Sequence, residues 1–131
     1  MVTTQKLTGV RRLLRSTRVS WSGLFHGVRH EAAIREVVIG VAALTALSAL
    51  LPVSSLEHLI LVLCLMLVVV VEFLNSALES AVDRISTEHH PLSGLAKDYA
   101  NVAVVIAVLM ACLSWIVIAG PVLLQWLGRY T

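Results

Sequence analysis

Three long stretches with almost no charge constrain this chain more than anything else in it. Val37 to Val53, Leu59 to Val71 and Val102 to Leu127 are apolar nearly throughout, and the first and third carry no charged residue. A helix that crosses a bilayer needs roughly 20 mostly apolar residues. Inside lipid the backbone must satisfy its own hydrogen bonds, and uninterrupted apolar runs of this length do so as helices. With 58% hydrophobic and 14% charged residues, the chain stands far from the soluble average, and 131 residues leave room for one domain. The first span borrows Glu31 to Glu36 as its interfacial turns, and the second runs past Glu72 into a mixed segment ending at Leu78. The predicted fold is an all-α membrane protein. It has an amphipathic surface helix over about residues 5–28, followed by spans over about 31–52, 56–84 and 91–127.

Charge placement sets the expected orientation. Nine of the ten Lys and Arg residues lie in residues 1–36 or between Glu72 and Asp98, and the tenth is Arg129. Positive residues stay on the cytoplasmic side. The amino terminus and the second loop are therefore expected inside, with the Pro52 to His58 loop and the carboxy terminus outside. Residues 1–36 contain no short apolar core followed by a small-residue cleavage site, so no secretory signal is expected. Cys64 and Cys112 fall inside spans, where cysteine serves as a small core residue, and no chemistry is assigned to them.

In the first segment Val10, Leu13, Leu14, Thr17, Trp21, Leu24, Phe25 and Val28 recur at three- and four-residue steps and mark one face of a helix. Arg11, Arg12, Arg15 and Arg18 mostly take the other face. Such a basic amphipathic helix lies in a membrane surface, its apolar stripe in the acyl boundary and its guanidinium groups among anionic headgroups, with Trp21 as an anchor. Docking of the same stripe on the spans is the alternative. Pro52 stops the first span, and Ser54-Ser55-Leu56-Glu57 offers a capping box for the second. Pro91 suits the first turn of the third. There is no repeat, linker or low-complexity segment.

Glu72, Asn75 and Glu79 are spaced by three and four residues and share one helical face; Asp83 continues it a turn later, with Ser76 alongside. Glu72 directly follows thirteen consecutive apolar residues. An ionisable group at that depth is expensive unless it faces protein or water and is used. A polar patch that only joins helices is the plainer alternative, but four polar residues in register exceed what that needs. A rise of about 1.5 Å per residue places Glu79 roughly 10 Å nearer the cytosol than Glu72. Glu72 is thus placed to meet a lipid headgroup, and Glu79 a water-soluble ligand. Glu31, Lys97 and Asp98 fall in the same interfacial layer. Carboxylates for Mg²⁺, cations for phosphate oxygens and one further carboxylate to accept a hydroxyl proton are the parts phosphoryl transfer needs. No Gly-x-x-x-x-Gly-Lys-Ser/Thr or Gly-x-Gly-x-x-Gly pattern occurs, so a kinase here must be of a membrane-embedded type.

Glu72-Phe-Leu-Asn75-Ser76-Ala-Leu-Glu79-Ser-Ala-Val-Asp83-Arg84, then His90, then Ser93-Gly94-Leu-Ala-Lys97-Asp98, closely resembles the signature of the prokaryotic diacylglycerol kinase family. Ser20-Trp21-x-Gly23-Leu24 and Glu31-Ala32-Ala33-x-Arg35 extend the resemblance over nearly the whole chain. The resemblance implies ATP-dependent phosphorylation of diacylglycerol to phosphatidic acid, in phospholipid metabolism at a bacterial inner membrane. It also implies a homotrimer whose sites are shared between neighbouring subunits. By position it makes Glu72 the general base, with Asn75 supporting the catalytic face, and makes Glu31 and Glu79 the holders of the Mg²⁺ that accompanies ATP. Arg12, Glu31, Glu79, Glu88, His89, His90, Lys97 and Asp98 match nucleotide-contacting positions. Arg12, Trp21, Glu72 and Trp115 match positions in the lipid region. Val19 stands where some members have a tyrosine near the nucleotide, and Asn101 replaces a smaller polar residue near the lipid. For His89 and His90, two solvated loop histidines are an equal alternative.

Undecaprenol kinases of the same family would present a similar catalytic face, although the longer carboxy-terminal extension and the motif wording look more like the Gram-negative diacylglycerol kinases. A small channel or transporter subunit would need polar residues along the full length of a span. The outer halves offer only Thr45, Ser48 and Ser114. An interaction module predicts surface motifs rather than buried carboxylates.

Overall fold

The computed structural model describes residues 9–85 and 90–128, folded as four α-helices: α1 (Val10–His30), α2 (Ala32–Ser48), α3 (Ser55–Ile85) and α4 (Pro91–Gly128). The all-α expectation holds. Two of the helices, α3 and α4, are long and apolar enough to cross a membrane.

The expected first span is shorter as a helix than the sequence suggests. α2 stops at Ser48, and the next residues tighten into i→i+3 turns, Leu50 N–H donating to Leu47 O (3.0 Å) and Leu51 N–H to Ser48 O (3.1 Å). Pro52 explains this, because a residue preceding proline is pushed out of the helical region and proline itself has no N–H to give. Seventeen helical residues rise about 25 Å, somewhat less than a bilayer's hydrocarbon core. α3 then starts at the expected capping box. The Ser54 N–H and hydroxyl both donate to Glu57 Oε2 at 2.7 Å, and the Glu57 N–H returns to Ser54 Oγ at 3.3 Å.

α3 packs against both α2 and α4. The contact seam has two parts. Val41, Leu65, Val68, Ala107 and Ala111 bury one another at mid-helix, and Leu51, Leu61 and Ala119 close the end near the α2–α3 turn. All the α4 members of both groups are alanines, and small residues let helix backbones approach closely where burial from water offers no drive. Leu61, Leu65, Val68, Glu72, Asn75 and Ser76 form the buried stripe of α3, so the apolar seam and the acidic face are one continuous line. The opposite faces of α3 and α4, including Leu63, Val70, Leu74, Leu109, Leu113 and Ile116, are exposed.

α1 touches the rest of the chain near its end, where Gly27 is its one buried residue. Most of the apolar stripe before it does not dock on the other helices: Val10, Leu13, Leu14, Trp21 and Phe25 remain open, with the rings of Trp21 and Phe25 tilted against each other (centroids 6.1 Å), and only Leu24 is half-buried, beside Phe73.

Candidate functional site

One residue separates α1 from α2, and it is Glu31. Its backbone is extended (φ −112°, ψ 120°), its N–H closes α1 by donating to Gly27 O (2.8 Å), and its C=O opens α2 by accepting from Arg35 N (3.1 Å). As the cap residue of α2 it uses only backbone groups. The carboxylate makes no capping bond and stays free at the positive end of the helix dipole.

Gly27 brings this corner against α3. A Cβ there would meet Ile34 Cδ1 at 3.0 Å and Phe73 Cε1 at 3.1 Å, so only glycine lets α1 press this close. The cleft so formed, about 130 Å³, is lined by His26, Glu31, Phe73, Ser76 and Ser80 among others. Glu31 is thereby carried to the side of α3 that bears Glu72.

Glu72 is 6% exposed, Asn75 7% and Ser76 8%. No cation pairs with Glu72 among the described residues. Instead the carboxylates of Glu79 and Glu31 lie close enough for their charges to act on it. One buried and two half-buried carboxylates close together, with no neutralising cation among the described residues, cost stability unless a ligand uses them. Asn75 sits between the two glutamates of α3. Its Nδ2 donates to Glu79 Oε1 (3.3 Å), and its buried Oδ1 has no partner.

The donor set fits a hard divalent cation. Mg²⁺ is commonly held by one or two carboxylates together with substrate phosphates, and Glu31 and Glu79 are half-buried oxygen donors engaged by little else. Among the described residues no three His, Cys, Asp or Glu side chains form a closed cage.

On the other side of Glu72 the surface turns apolar. A groove of about 330 Å³ runs between α2, α3 and α4, lined by Val37, Gly40, Leu44, Leu65, Val68 and Trp115 among others. Val68, which lines the groove, is one turn before Glu72 on the same buried face, so the groove approaches to within one helical turn of the carboxylate. Trp115 borders it, with its Nε1 buried and unpartnered.

The remaining expected site residues are less closely gathered. Lys97, near the start of α4, is bound to Asp83 at 2.5 Å. Asp98 is exposed beside it. His90 caps α4, its Nδ1 accepting from Leu92 N–H (3.2 Å), which gives it a structural duty in addition to any ligand contact. Glu88 and His89 lie outside the described residues. Arg12 does not join the carboxylates within one chain: nineteen residues of continuous helix put it about 28 Å along α1 from Glu31. Trp21 is likewise on the open part of α1. Sequence reasoning missed two contributors. Gly27 is visible only as a glycine inside an amphipathic pattern, which hints at close packing without naming the neighbour. Helical spacing puts Asp83 on the acidic face but gives no signal of its partner, Lys97.

One buried and two half-buried glutamates just beyond an apolar groove, in a chain with helices long and apolar enough to cross a membrane, suit an enzyme that acts on lipid at an interface. A family model described as prokaryotic diacylglycerol kinase matches residues 18–119. The diacylglycerol kinase of Escherichia coli K12 is 39% identical over 111 residues, covering 85% of this chain and 91% of that protein. The diacylglycerol kinase of Pseudomonas aeruginosa is 39% identical over 108 residues (82% and 88%), and that of Haemophilus influenzae 37% over 110 (84% and 93%). This chain belongs to the prokaryotic diacylglycerol kinase family, and with it to the ATP-dependent lipid kinases.

Proposed function

We propose that the protein transfers the γ-phosphate of ATP to the free hydroxyl of diacylglycerol, giving phosphatidic acid and ADP, and that Glu72 is the general base. The carrying observation is the position of Glu72 on α3, with the apolar groove before it and the polar face of Asn75 and Glu79 after it. A diacylglycerol with an acyl chain along the groove presents its hydroxyl at the Glu72 carboxylate. The hydroxyl oxygen bonds to the γ-phosphorus as its proton passes to Glu72, and the bond from that phosphorus to the β–γ bridging oxygen breaks, leaving ADP. Glu31 and Glu79 would hold Mg²⁺, which would offset charge on the phosphate oxygens. Asn75 orients Glu79 through the hydrogen bond that its Nδ2 donates to Glu79 Oε1. His90, Lys97 and Asp98, with Glu88 and His89, face the nucleotide.

In this reading α2, α3 and α4 are three spans, α1 lies on the cytoplasmic surface with Arg12 and Trp21 among headgroups, and the enzyme is a trimer. The open apolar stripe of α1 supports the surface placement. The 28 Å between Arg12 and Glu31 supports sharing of sites, because a neighbouring copy can supply the arginine that the same chain cannot bring.

The test offers the purified protein labelled ATP and Mg²⁺ in mixed micelles with diacylglycerol or undecaprenol. Label is expected on diacylglycerol. Label on undecaprenol alone would reassign the acceptor, and label on neither would remove the kinase reading.

A further inference from the structure

Asp83 takes no part in the chemistry set out above, yet it makes the one salt bridge among the described residues, to Lys97 Nζ. The pair joins the last turns of α3 to the second turn of α4, across the segment that separates them in sequence. Asp83 lies one turn beyond Glu79 on the same face of α3. The ammonium is therefore tethered one turn past a proposed Mg²⁺ ligand. Lysine is a flexible four-carbon stem with three donors; one donor goes to Asp83, leaving two for other acceptors.

We infer that Asp83 is a positioning residue for nucleotide binding: it holds the Lys97 ammonium beside Glu79, where it meets the phosphates of Mg-ATP. The inference rests on the reading of Lys97 as a phosphate contact. Magnitude separates this role from a merely structural one. Both partners are partly exposed, with side chains 33% (Lys97) and 66% (Asp83) accessible. An ion pair that open to solvent adds little to folding. It can still bias where a mobile side chain sits, by up to about fivefold if it is worth about 1 kcal/mol. The sign is also informative. A carboxylate close to phosphates repels them, so an Asp83 without a positioning duty would weaken nucleotide binding, and its removal would tighten it.

The experiment is a double-mutant cycle on the full-length enzyme with Asp83→Asn, Lys97→Gln and both together, reading KM for Mg-ATP, kcat and thermal stability. Lys97→Gln should raise KM on the order of 10- to 100-fold, the usual worth of a hydrogen bond to a charged group. Asp83→Asn alone should raise KM by up to about fivefold. In the Lys97→Gln background the same change should have no further effect, because there is no ammonium left to place. Asp83→Glu, which keeps the charge, should recover part of the loss. Equal effects of Asp83→Asn in both backgrounds, or a lower KM, would overturn the positioning role while leaving Lys97 as a nucleotide contact. A normal KM in Lys97→Gln would overturn both readings together.

Discussion

Glu72 and Glu79 lie on one face of one helix, yet their surroundings differ enough that their amides should fail differently. Glu72→Gln keeps size and hydrogen bonding but cannot accept a proton, so kcat should fall by on the order of 10²- to 10⁴-fold with Mg-ATP binding retained. Glu79→Gln removes an anionic oxygen ligand, so KM for Mg-ATP should rise as kcat falls, and added Mg²⁺ should restore part of the rate. Steady-state kinetics on both variants checks the division of labour; normal turnover by Glu72→Gln would contradict it. At this scale the sequence was most informative about identities. A carboxylate after thirteen apolar residues announces itself through cost, and three- and four-residue steps put its companions on the same face. Partners across the fold were not legible. Nothing in the order of residues tells that Asp83 meets Lys97, or that Asn75 Oδ1 is buried without a donor.

Among the elements, the contact between α1 and α3 turns on Gly27. Replacing it by alanine brings two opposing effects. Helix propensity would favour alanine by up to about 1 kcal/mol. Against that, a Cβ at 3.0–3.1 Å from Ile34 and Phe73 forces a shift in a packed corner, and overpacking typically costs about 1–3 kcal/mol. Ile34 is 2% exposed and has little room to yield, so the steric term wins. Gly27→Ala should therefore lower kcat several-fold by displacing Glu31, while Gly23→Ala, which meets open space, should leave activity near the parent value. Comparable losses in both would show that crowding at Gly27 is irrelevant. Helix existence was readable from long uncharged runs, and the start of α3 from its capping box. The end of α2 was not, because an apolar run continues to Leu51 while the backbone already yields to Pro52.

For the whole molecule, the separation of Arg12 from the acidic face makes a prediction about assembly. Glu72 and Glu79 belong to one helix and share one of its faces, so they enter any site together. Arg12 lies far enough away to enter from elsewhere. Subunits carrying Arg12→Ala, mixed and exchanged with an equal amount of subunits carrying Glu72→Gln, should regain about a quarter of parental activity. In a closed ring each site takes one contribution from either neighbour at random, so about one site in four is intact. A mixture of Glu72→Gln with Glu79→Gln should regain almost nothing. No recovery in the first mixture after verified exchange would place each site within a single chain. The fold class was legible because solvent dictates it, whereas the number of copies was not, since exposed faces on α3 and α4 look alike whether lipid or another subunit covers them.

The single-residue joint at Glu31 has a mechanical side. Two rigid rods meet there with no spare length between them, so the angle at which one lies fixes the height and heading of the carboxylate at the corner. If α1 rests on the membrane surface, anything that tilts it, such as surface charge pulling on its arginines or a change in bilayer thickness, is transmitted directly to the carboxylate proposed to hold the metal. The bilayer then acts on this enzyme as more than its solvent: it becomes the support against which the site is aligned.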